Sequence, residues 1–494
     1  MSHRLPVPPA PGPLETYAQA FDDLFAKRTQ RAAFRRYLEG LLLPTERNKT
    51  LTGLANAAPV VDAQHPAAQR LQWFLTESTW APEAINQRRL AVLGQTPATA
   101  PHAGGVLVID ETGDRKWGTK TAHVGRQYLG SLGKIDNGVV SVSSLWADDR
   151  LYYPLEVEPY TPAHWFAKGS NDAAFRTKPA IALALVQQAQ THGVPFRAVV
   201  ADAFYGSNVA FRAGLLALDV GYALAEKPSH AWWHPEGEVG SAYELAQAAP
   251  WQAEQPGQWQ RVVRQFRDGH AEPWWLLEAE GGPYGRDKVE RLVIATTDPA
   301  TLPDATTWYL VTNLPAPGAA AQSPHAPATV ADVVRLYGLR VWVEQSYKQI
   351  KQTLGWAEYQ VRADVAIRRH WHLVYCAFSF CWWASAHDAP TTWELLGAVA
   401  QPAQEKRGQE AQAAPPLTAS GGKKPRRHHA RRGPRQLAHG LAPGPGLAGA
   451  GDDALALLAG VVRHAPTPSA ATAPGLALGG QGHRSLYPIA TNYC

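Results

Sequence analysis

Four polar residues, Tyr337, Arg340, Glu344 and Lys351, follow one another at steps of three, four and seven. In a helix these steps return to one face, so the four side chains are predicted to form a single stripe. A stripe with this spacing is usually apolar and faces a core, but this one carries a phenol, two cations and a carboxylate. The combination favours a metal-binding carboxylate flanked by phosphate contacts. The alternative is a solvated face with charge pairs four residues apart.

The surrounding sequence predicts a helix over 329–354. Thr329 is placed to cap its N-terminus, with Asp332 as a capping-box partner. Apolar residues on an adjacent face are predicted to pack the helix onto a sheet, and they are Leu336, Leu339, Val343, Ile350 and Leu354. Glu344 is then expected near the boundary between core and solvent, where a ligand must lie.

Two further carboxylates end apolar runs that are typical of buried strands. Asp110 lies in GGVLVIDETG and Asp202 in FRAVVADAFYG. An acid at the carboxyl end of a buried strand lies where open α/β sheets place their sites, although such residues also cap loops and turns. With Glu344 they make three carboxylates without a neighbouring His or Cys ligand, a set that suits Mg²⁺ or Mn²⁺. Two such ions can activate a water or a 3′-hydroxyl and stabilise the leaving oxygen in phosphodiester cleavage.

The whole set resembles the DDE transposases of bacterial insertion sequences. The resemblance rests on Asp110, Asp202 and Glu344, with Tyr337, Arg340 and Lys351 around the glutamate. The helical motif is similar to the Y-x2-R-x3-E-x6-K mark of the insertion-sequence-four superfamily. The segments VIDETGDRKWGTKTAHVGRQYLGSLGK and VVADAFYG resemble its branch of large transposases, the DDE endonucleases. The likeness spans about 105–385, and the helical region 15–95 also fits that branch.

This resemblance implies an α/β fold with a ribonuclease-H-like catalytic core, interrupted by a β-rich insertion and preceded by a helical domain. It implies that Asp110, Asp202 and Glu344 are catalytic and hold two Mg²⁺ or Mn²⁺ ions. It also implies that Tyr337, Arg340 and Lys351 contact DNA phosphates. The expected activity is cleavage at the ends of an insertion sequence and strand transfer into target DNA. The expected partners are the terminal inverted repeats, the target DNA and a second copy of the chain, because two DNA ends must be held together.

Composition adds weaker constraints. The chain has 494 residues, enough for two or three domains, and its net charge of +5 mildly favours a polyanionic partner. The three cysteines, Cys376, Cys381 and Cys494, lack zinc-ligand spacing and cannot form a closed disulfide framework, which fits a reducing bacterial cytoplasm. We expect no signal peptide, because the N-terminus MSHRLPVPPAPGPLETY is Pro-rich and lacks an apolar segment. We expect no membrane partner, because the longest apolar run, at 373–384, is too short to span a bilayer. Association with the nucleoid is expected when DNA is bound.

Changes in character along the chain predict five segments. They are a helical, DNA-binding segment at 1–100, the first part of the core at 101–228, a β-rich insertion at 229–320, the second part of the core at 321–390, and a low-complexity basic tail at 391–494. Within the core, the order predicted from 105 onward is three strands, a helix and a strand. The tail is expected to be disordered. The alternatives are that its basic cluster KKPRRHHARRGPR adds affinity for DNA, or that this end of the chain is translated out of frame.

The DNA-binding interpretation of the helical segment rests on its basic residues. They are Arg31, Arg35, Arg36, Arg47 and Lys49. An ordinary charged surface is the alternative, and these residues support the two interpretations equally. The residues Gly125, Arg126, Gln127, Tyr128 and Gly130 are interpreted first as a structural hairpin and second as a DNA contact.

Two other functions stay open at this point. VIDETG superficially resembles the nucleophile strand of haloacid-dehalogenase-type phosphatases, but that family has a second Asp where this chain has Thr112, and the helical stripe goes unexplained. The other alternative is a decayed or domesticated copy that binds DNA without cutting. The presence of all three carboxylates argues against it.

Overall fold

The computed structural model describes residues 9–10, 12–44, 48–58, 64–233, 239–265, 270–282, 290–319 and 323–387. The helices in these ranges are α1 Pro13–Gln19, α2 Arg28–Leu42, α3 Leu51–Leu54, α4 Pro66–Thr76, α5 Pro82–Gln95, α6 Lys178–Thr191, α7 Ala203–Gly206, α8 Val209–Ala217, α9 Ala242–Ala248, α10 Val330–Gly338, α11 Val341–Gln352 and α12 Asp364–His387. The strands are β1 Val106–Arg115, β2 Gly125–Leu129, β3 Lys134–Ala147, β4 Tyr152–Tyr160, β5 Ala198–Ala201, β6 Tyr222–Ala225, β7 Ala231–Trp233, β8 Val239–Ser241, β9 Gln260–Gln265, β10 Ala271–Gly281, β11 Glu290–Thr296 and β12 Thr307–Thr312.

Ten of these strands form one large mixed sheet. Its order is β2-β3-β1-β5-β6-β12-β11-β10-β9, with β4 paired to β3. β1 is parallel to β5, and β5 is parallel to β6, whereas the other paired strands of this sheet are antiparallel. The residues of β1 from Val106 to Ile109 are fully buried, as the continuous apolar run predicted for a strand covered on both faces. The predicted α/β class is therefore confirmed.

The predicted strand order needs adjustment, whereas the strands predicted in the insertion are present. YYPLEVEPY forms β4, so four strands rather than three precede α6. The strands predicted in the insertion are present as β9, β10, β11 and β12. However, β12 pairs with β6, so the insertion extends the central sheet instead of forming a separate one. Its apolar strands find their partners at the open edge that β6 leaves.

The single helix predicted over 329–354 is wrong, because the segment forms two helices. α10 ends at Gly338 and α11 begins at Val341. At the break, the amides of Leu339 and Arg340 donate hydrogen bonds to the carbonyls of Leu336 and Tyr337, three residues earlier in each case. Gly338 permits the break, because a glycine weakens a helix interior. The predicted capping box of Thr329 and Asp332 is confirmed, and all five predicted packing residues are buried.

The N-terminal helices pack directly on α12. The hydroxyl of Tyr37 lies 2.8 Å from Nδ1 of His370, and the hydroxyl of Tyr17 donates to the carbonyl of Cys376. The apolar run at 373–384 lies within α12, where most of its side chains are buried. Among the helices described, none combines the length and the apolar character needed to cross a membrane. The tail 391–494, with Cys494, lies outside the described residues.

Most of the basic residues that suggested DNA binding by the helical segment have internal roles. Arg31 and Arg35 are buried, and Arg35 forms ion pairs with Glu15 and Asp22. Lys49 is also buried and donates to main-chain carbonyls at the end of α2, while Arg36 pairs with Glu39. Arg47 lies outside the described residues. DNA binding by residues 1–100 therefore stays a prediction without support from these four side chains.

Arg369 offers a test of how firmly the N-terminal helices are attached. It is buried on α12 and donates to the main-chain carbonyls of Leu75, Ser78 and Trp80. We expect Arg369→Ala to lower the free energy of unfolding by about 3 kcal/mol, because several buried acceptors lose their donor. Urea denaturation followed by circular dichroism measures this. Arg70→Ala, at an exposed position on α4, should change the free energy by less than about 0.5 kcal/mol, and equal losses in the two variants would contradict the argument.

Candidate active site

Two parallel strands bring Asp110 and Asp202 side by side at the edge of the sheet where β5 ends. The expectation that Asp110 lies at the carboxyl end of its strand is wrong, because β1 continues past it to Arg115. Ile109 of β1 is in register with Ala201 of β5, and each aspartate is the next residue. The side chain of Asp110 is buried, and one of its oxygens accepts a hydrogen bond from the amide of Glu111 at 2.8 Å. The sequence-based expectation that these two acids lie together is met in the structure.

Asp202 also fulfils the structural alternative, because it caps a helix. Its Oδ1 accepts hydrogen bonds from the amides of Phe204 at 3.0 Å and Tyr205 at 3.4 Å, at the start of α7. α7 has only four residues, and its cap fixes the direction in which the carboxylate leaves β5. The second oxygen of Asp202 is not used in this cap, so capping and ligand binding are compatible roles.

Arg340 joins the helical motif to the sheet. Its Nη2 lies 2.9 Å from Oδ2 of Asp110, and its Nη1 lies 2.9 Å from Oε1 of Glu344. The break between α10 and α11 places this guanidinium between the two acids. Glu344 keeps 49% of its side chain exposed, whereas Asp110 keeps only 10%. The structure therefore places one buried and one accessible carboxylate on either side of a cation.

The electrostatics of this group are those of crowded acids around one cation. Burial raises the pKa of Asp110 to about 7; Arg340 opposes this shift, and Asp202 and Glu344 add to it. Burial also disfavours the charged form of Arg340, but the carboxylates, with Asp110 foremost, outweigh burial and raise its pKa above the ordinary value. The negative charge of the three acids is therefore only partly balanced by the single guanidinium, so an additional cation would be favourable at this site.

We tested whether this arrangement fits a divalent metal. Within the described ranges, no three or more His, Cys, Asp or Glu side chains are grouped so that they hold a metal ion as they stand. At this edge the guanidinium of Arg340 lies between Asp110 and Glu344 and would block a metal ion from binding between them. The donors themselves, three carboxylates facing one cationic position, have the chemistry that Mg²⁺ and Mn²⁺ prefer. The residues therefore fit a hard cation, on condition that Arg340 moves.

Tyr337 and Lys351, the other two residues of the motif, have different surroundings. The ring of Tyr337 packs on Trp308 of β12, with centroids 5.1 Å apart. Burial raises the pKa of Tyr337 to about 12, Arg340 opposes this, and Asp202 and Asp110 add to it, so its phenol is close to the carboxylates. Lys351, on α11, lies beside a later part of β1, and its Nζ is 2.8 Å from Oδ1 of Asp114. The four residues predicted to form one stripe on a single helix therefore lie along two successive helices and have different partners.

Sequence reasoning missed a third acid at the same edge. Glu226 directly follows β6, the next parallel strand after β5. It is fully buried, and its Oε1 lies 2.9 Å from Nη1 of Arg212, which also contacts Glu290. Burial raises the pKa of Glu226 to about 7; Arg212 opposes this shift and Glu290 adds to it. This buried ion-pair cluster supports the site from within the sheet, and the only signal in the sequence was an acid after an apolar run.

Glu111 is a second residue that the sequence did not single out. Its carboxylate accepts a hydrogen bond from the hydroxyl of Tyr205 at 3.0 Å and pairs with Lys178 at 2.6 Å. It thereby ties β1 to α7 and α6, on either side of Asp202. The hairpin interpretation of Gly125–Gly130 is met, since β2 pairs with β3 and a side chain at Gly125 would contact Pro162 and His164.

Comparison with known proteins identifies the family. A model described as DDE superfamily endonuclease matches residues 20–276. The chain is also 34% identical over 349 residues to the "Probable transposase for insertion sequence element IS701" of Microchaete diplosiphon, a match that covers 70% of this chain and 81% of that protein.

The chain belongs to the DDE superfamily of endonucleases. It is a DDE transposase and hence an enzyme that acts on DNA, and this superfamily uses divalent metal ions. The family match includes Asp110 and Asp202 but ends before Glu344, so the third carboxylate rests on the geometry described above. A solved piggyBac transposase synaptic complex with hairpin DNA is also similar, at 11% identity and a TM-score of 0.35, covering 77% of this chain and 74% of that one.

Proposed function

We propose that this transposase cuts DNA at the ends of its insertion sequence and joins the freed 3′-hydroxyls to target DNA at one site formed by Asp110, Asp202 and Glu344. The observation that carries the proposal is the position of Arg340, which pairs with Asp110 of β1 and with Glu344 of α11, next to Asp202 at the end of β5. Both reactions are in-line phosphoryl transfers, so one site serves them in turn. We further propose that β1 to β6 with the flanking helices constitute a ribonuclease-H-like core.

Asp110, Asp202 and Glu344 would hold two Mg²⁺ or Mn²⁺ ions, which supply charge stabilisation for the attacking and leaving oxygens. Asp110 provides a buried oxygen whose direction is fixed by β1. Asp202 is oriented by its cap on α7, and Glu111 secures that helix through Tyr205. Glu344 approaches from α11 and keeps the site open to a DNA strand, because its side chain is half exposed.

The remaining residues of the motif are proposed to contact the DNA. Arg340 provides a guanidinium beside the acids, where a phosphate oxygen would offer a new partner if a metal took over the carboxylates. Lys351 is held by Asp114 and by the carbonyl of Gly113, and it would add a cation further along the DNA path. Tyr337 presents a phenol close to the three acids.

The domain boundaries follow the same proposal. Residues 101–228 and 321–390 would form the core, 229–320 the β-rich insertion and 1–100 a helical, DNA-binding domain. Residues 391–494 would be a separate, low-complexity basic tail. We also propose that the active assembly on the terminal inverted repeats is a homodimer in the bacterial cytoplasm, associated with the nucleoid when bound to DNA. Light scattering with and without paired DNA ends measures the stoichiometry.

Cleavage of a duplex that carries the element's own end tests the function. We expect end-specific nicking in Mg²⁺ or Mn²⁺, joined products when target DNA is added, and neither in EDTA, because without a metal ion the attacking oxygen is not activated and the leaving oxygen is not stabilised. A duplex with a scrambled end is the control. End-specific binding without nicking in either metal would contradict the proposal and favour the alternative of a copy that binds without cutting.

A further inference from the structure

A cleft of about 490 Å³ lies away from the carboxylates, between the loop after β1 and the segment before α12. It is lined by residues 116–121 and 359–362. Three of the lining side chains, Lys116, Lys120 and Arg362, are cationic, and none is acidic. Trp117, at its rim, is 86% exposed, the largest value among the exposed apolar side chains described.

Trp117 is held in place from one face only. The guanidinium carbon of Arg115 lies 4.0 Å from the centroid of its ring, and Nε of Arg115 lies 3.3 Å from Oδ2 of Asp136. Asp136 thus fixes the arginine, and the arginine supports the indole through a cation–π contact. The high exposure of Trp117 means that its opposite face is open to solvent.

Hydrogen bonds at both ends fix the loop that carries Trp117. The amide of Lys116 donates to the carbonyl of Asn137, and the side-chain amide of Asn137 donates to the carbonyls of Lys116 and Gly118. At the other end, the amide of Ala122 donates to the carbonyl of Arg362 at 2.9 Å. A ligand that uses this loop would therefore lose little free energy in ordering it.

The charges of the cleft favour an anionic ligand. Nζ of Lys116 is engaged with the carbonyl of Ala357 and lies over the ring of Tyr359, but Lys120 and Arg362 are exposed at the mouth. The neighbouring acids Asp114 and Asp136 are neutralised by ion pairs with Lys351 and Arg115. An open aromatic face between free cations is the arrangement with which proteins bind single-stranded nucleic acid.

The strand β1 links the cleft to the proposed active site. Arg115 ends the strand that carries Asp110, so the two positions are about 17 Å apart along β1. Lys351 contacts Asp114 between the two sites and thereby connects α11 to the loop.

We propose that this cleft binds an unpaired stretch of the DNA strand, with one base stacked on the open face of Trp117 and its phosphates near Lys120 and Arg362. A base within a duplex has both faces covered, so the platform selects unpaired DNA. The proposal rests on the proposed function, since it assigns part of the same substrate. It adds that the end substrate carries unpaired nucleotides within about 17 Å of the scissile phosphate, the separation of Asp110 and Arg115 along β1.

The test compares the affinity of the full chain for a blunt duplex end with its affinity for the same end extended by about ten unpaired nucleotides. We expect the wild type to prefer the extended end. Trp117→Ala should reduce this preference about tenfold, and Trp117→Phe should keep most of it, because an aromatic face remains. Tyr243→Ala is the matched control, because it removes an exposed aromatic side chain on α9, outside the proposed DNA-binding domain and the cleft. Fluorescence anisotropy at fixed salt gives both affinities.

A second readout locates the base. 2-Aminopurine placed in the extension should be quenched by the wild type and not by Trp117→Ala. The proposal is overturned if the wild type shows no preference for the extended end, or if preference and quenching survive in Trp117→Ala. Normal end cleavage with either of these results would leave the proposed function intact, whereas loss of all end binding by the wild type would reject both.

Discussion

Glu344→Gln is expected to lower the rate of end-specific nicking by at least about 10³-fold while end binding stays within about threefold of the wild type. The substitution removes one negative charge and keeps the shape of the side chain. A carboxylate that holds a catalytic cation is worth several kcal/mol in the transition state, and each 1.36 kcal/mol is about tenfold in rate. Binding is preserved because the proposed phosphate contacts come from Tyr337, Arg340 and Lys351. Gel analysis of nicked products in Mg²⁺ and Mn²⁺, with anisotropy for binding, measures both quantities.

Unfolding does not explain such a loss. Glu344 is half exposed and its contact with Arg340 is a partly solvated ion pair, so the variant should lose no more than about 1 kcal/mol of stability. Glu254→Gln, at an exposed position in the insertion, is the control and should nick like the wild type. If Glu344→Gln retains more than a tenth of the wild-type rate, Glu344 is not the third carboxylate. The family match, which ends at 276, is consistent with either result.

Local patterns in the sequence were sufficient for most of the central sheet. The run before Asp110 is apolar because β1 is covered on both faces, and the run before Asp202 is apolar for the same reason. Parallel strands then place both acids at one edge, so this part of the site follows from strand direction alone. The strands of the insertion were also predicted, but their pairing with β6 was not, because pairing between distant strands leaves no periodic signal in one sequence.

The parts that were not predicted depend on tertiary contacts. Arg35 looked like a surface cation on a basic helix, yet its partners Glu15 and Asp22 come from other elements and bury it. The helix break has a visible cause in Gly338, but a glycine within a helical pattern does not by itself decide between a kink and a continuous helix. What decides it here is the position of Arg340, which reaches Asp110 on β1.

Arg340→Gln is expected to show that the guanidinium holds the place of a metal cation. Without Arg340, the buried carboxylate of Asp110 faces Asp202 and Glu344 with no countercharge. Breaking such a buried pair costs about 3 kcal/mol or more when the acid stays charged. The cost should be smallest at low pH. Since burial already raises the pKa of Asp110 to about 7, stability present below its ordinary pKa of 3.8 is lost as the pH rises through the folded-state value. The loss of Arg340 raises that value further.

The decisive measurement is therefore thermal unfolding of Arg340→Gln at neutral pH, with and without Mn²⁺. The variant should unfold well below the wild type in EDTA, and added Mn²⁺ should raise its midpoint more than it raises that of the wild type, because the ion meets the same demand for positive charge. Arg335→Gln is the matched control: it removes an arginine of α10 whose ion pair with Asp149 is exposed, and such pairs are worth about 0–1 kcal/mol. Equal midpoints for the two variants, or equal responses to Mn²⁺, would show that Arg340 only packs against the acids. A selective response would instead mean that the break between α10 and α11 serves to place one cation where another must later bind.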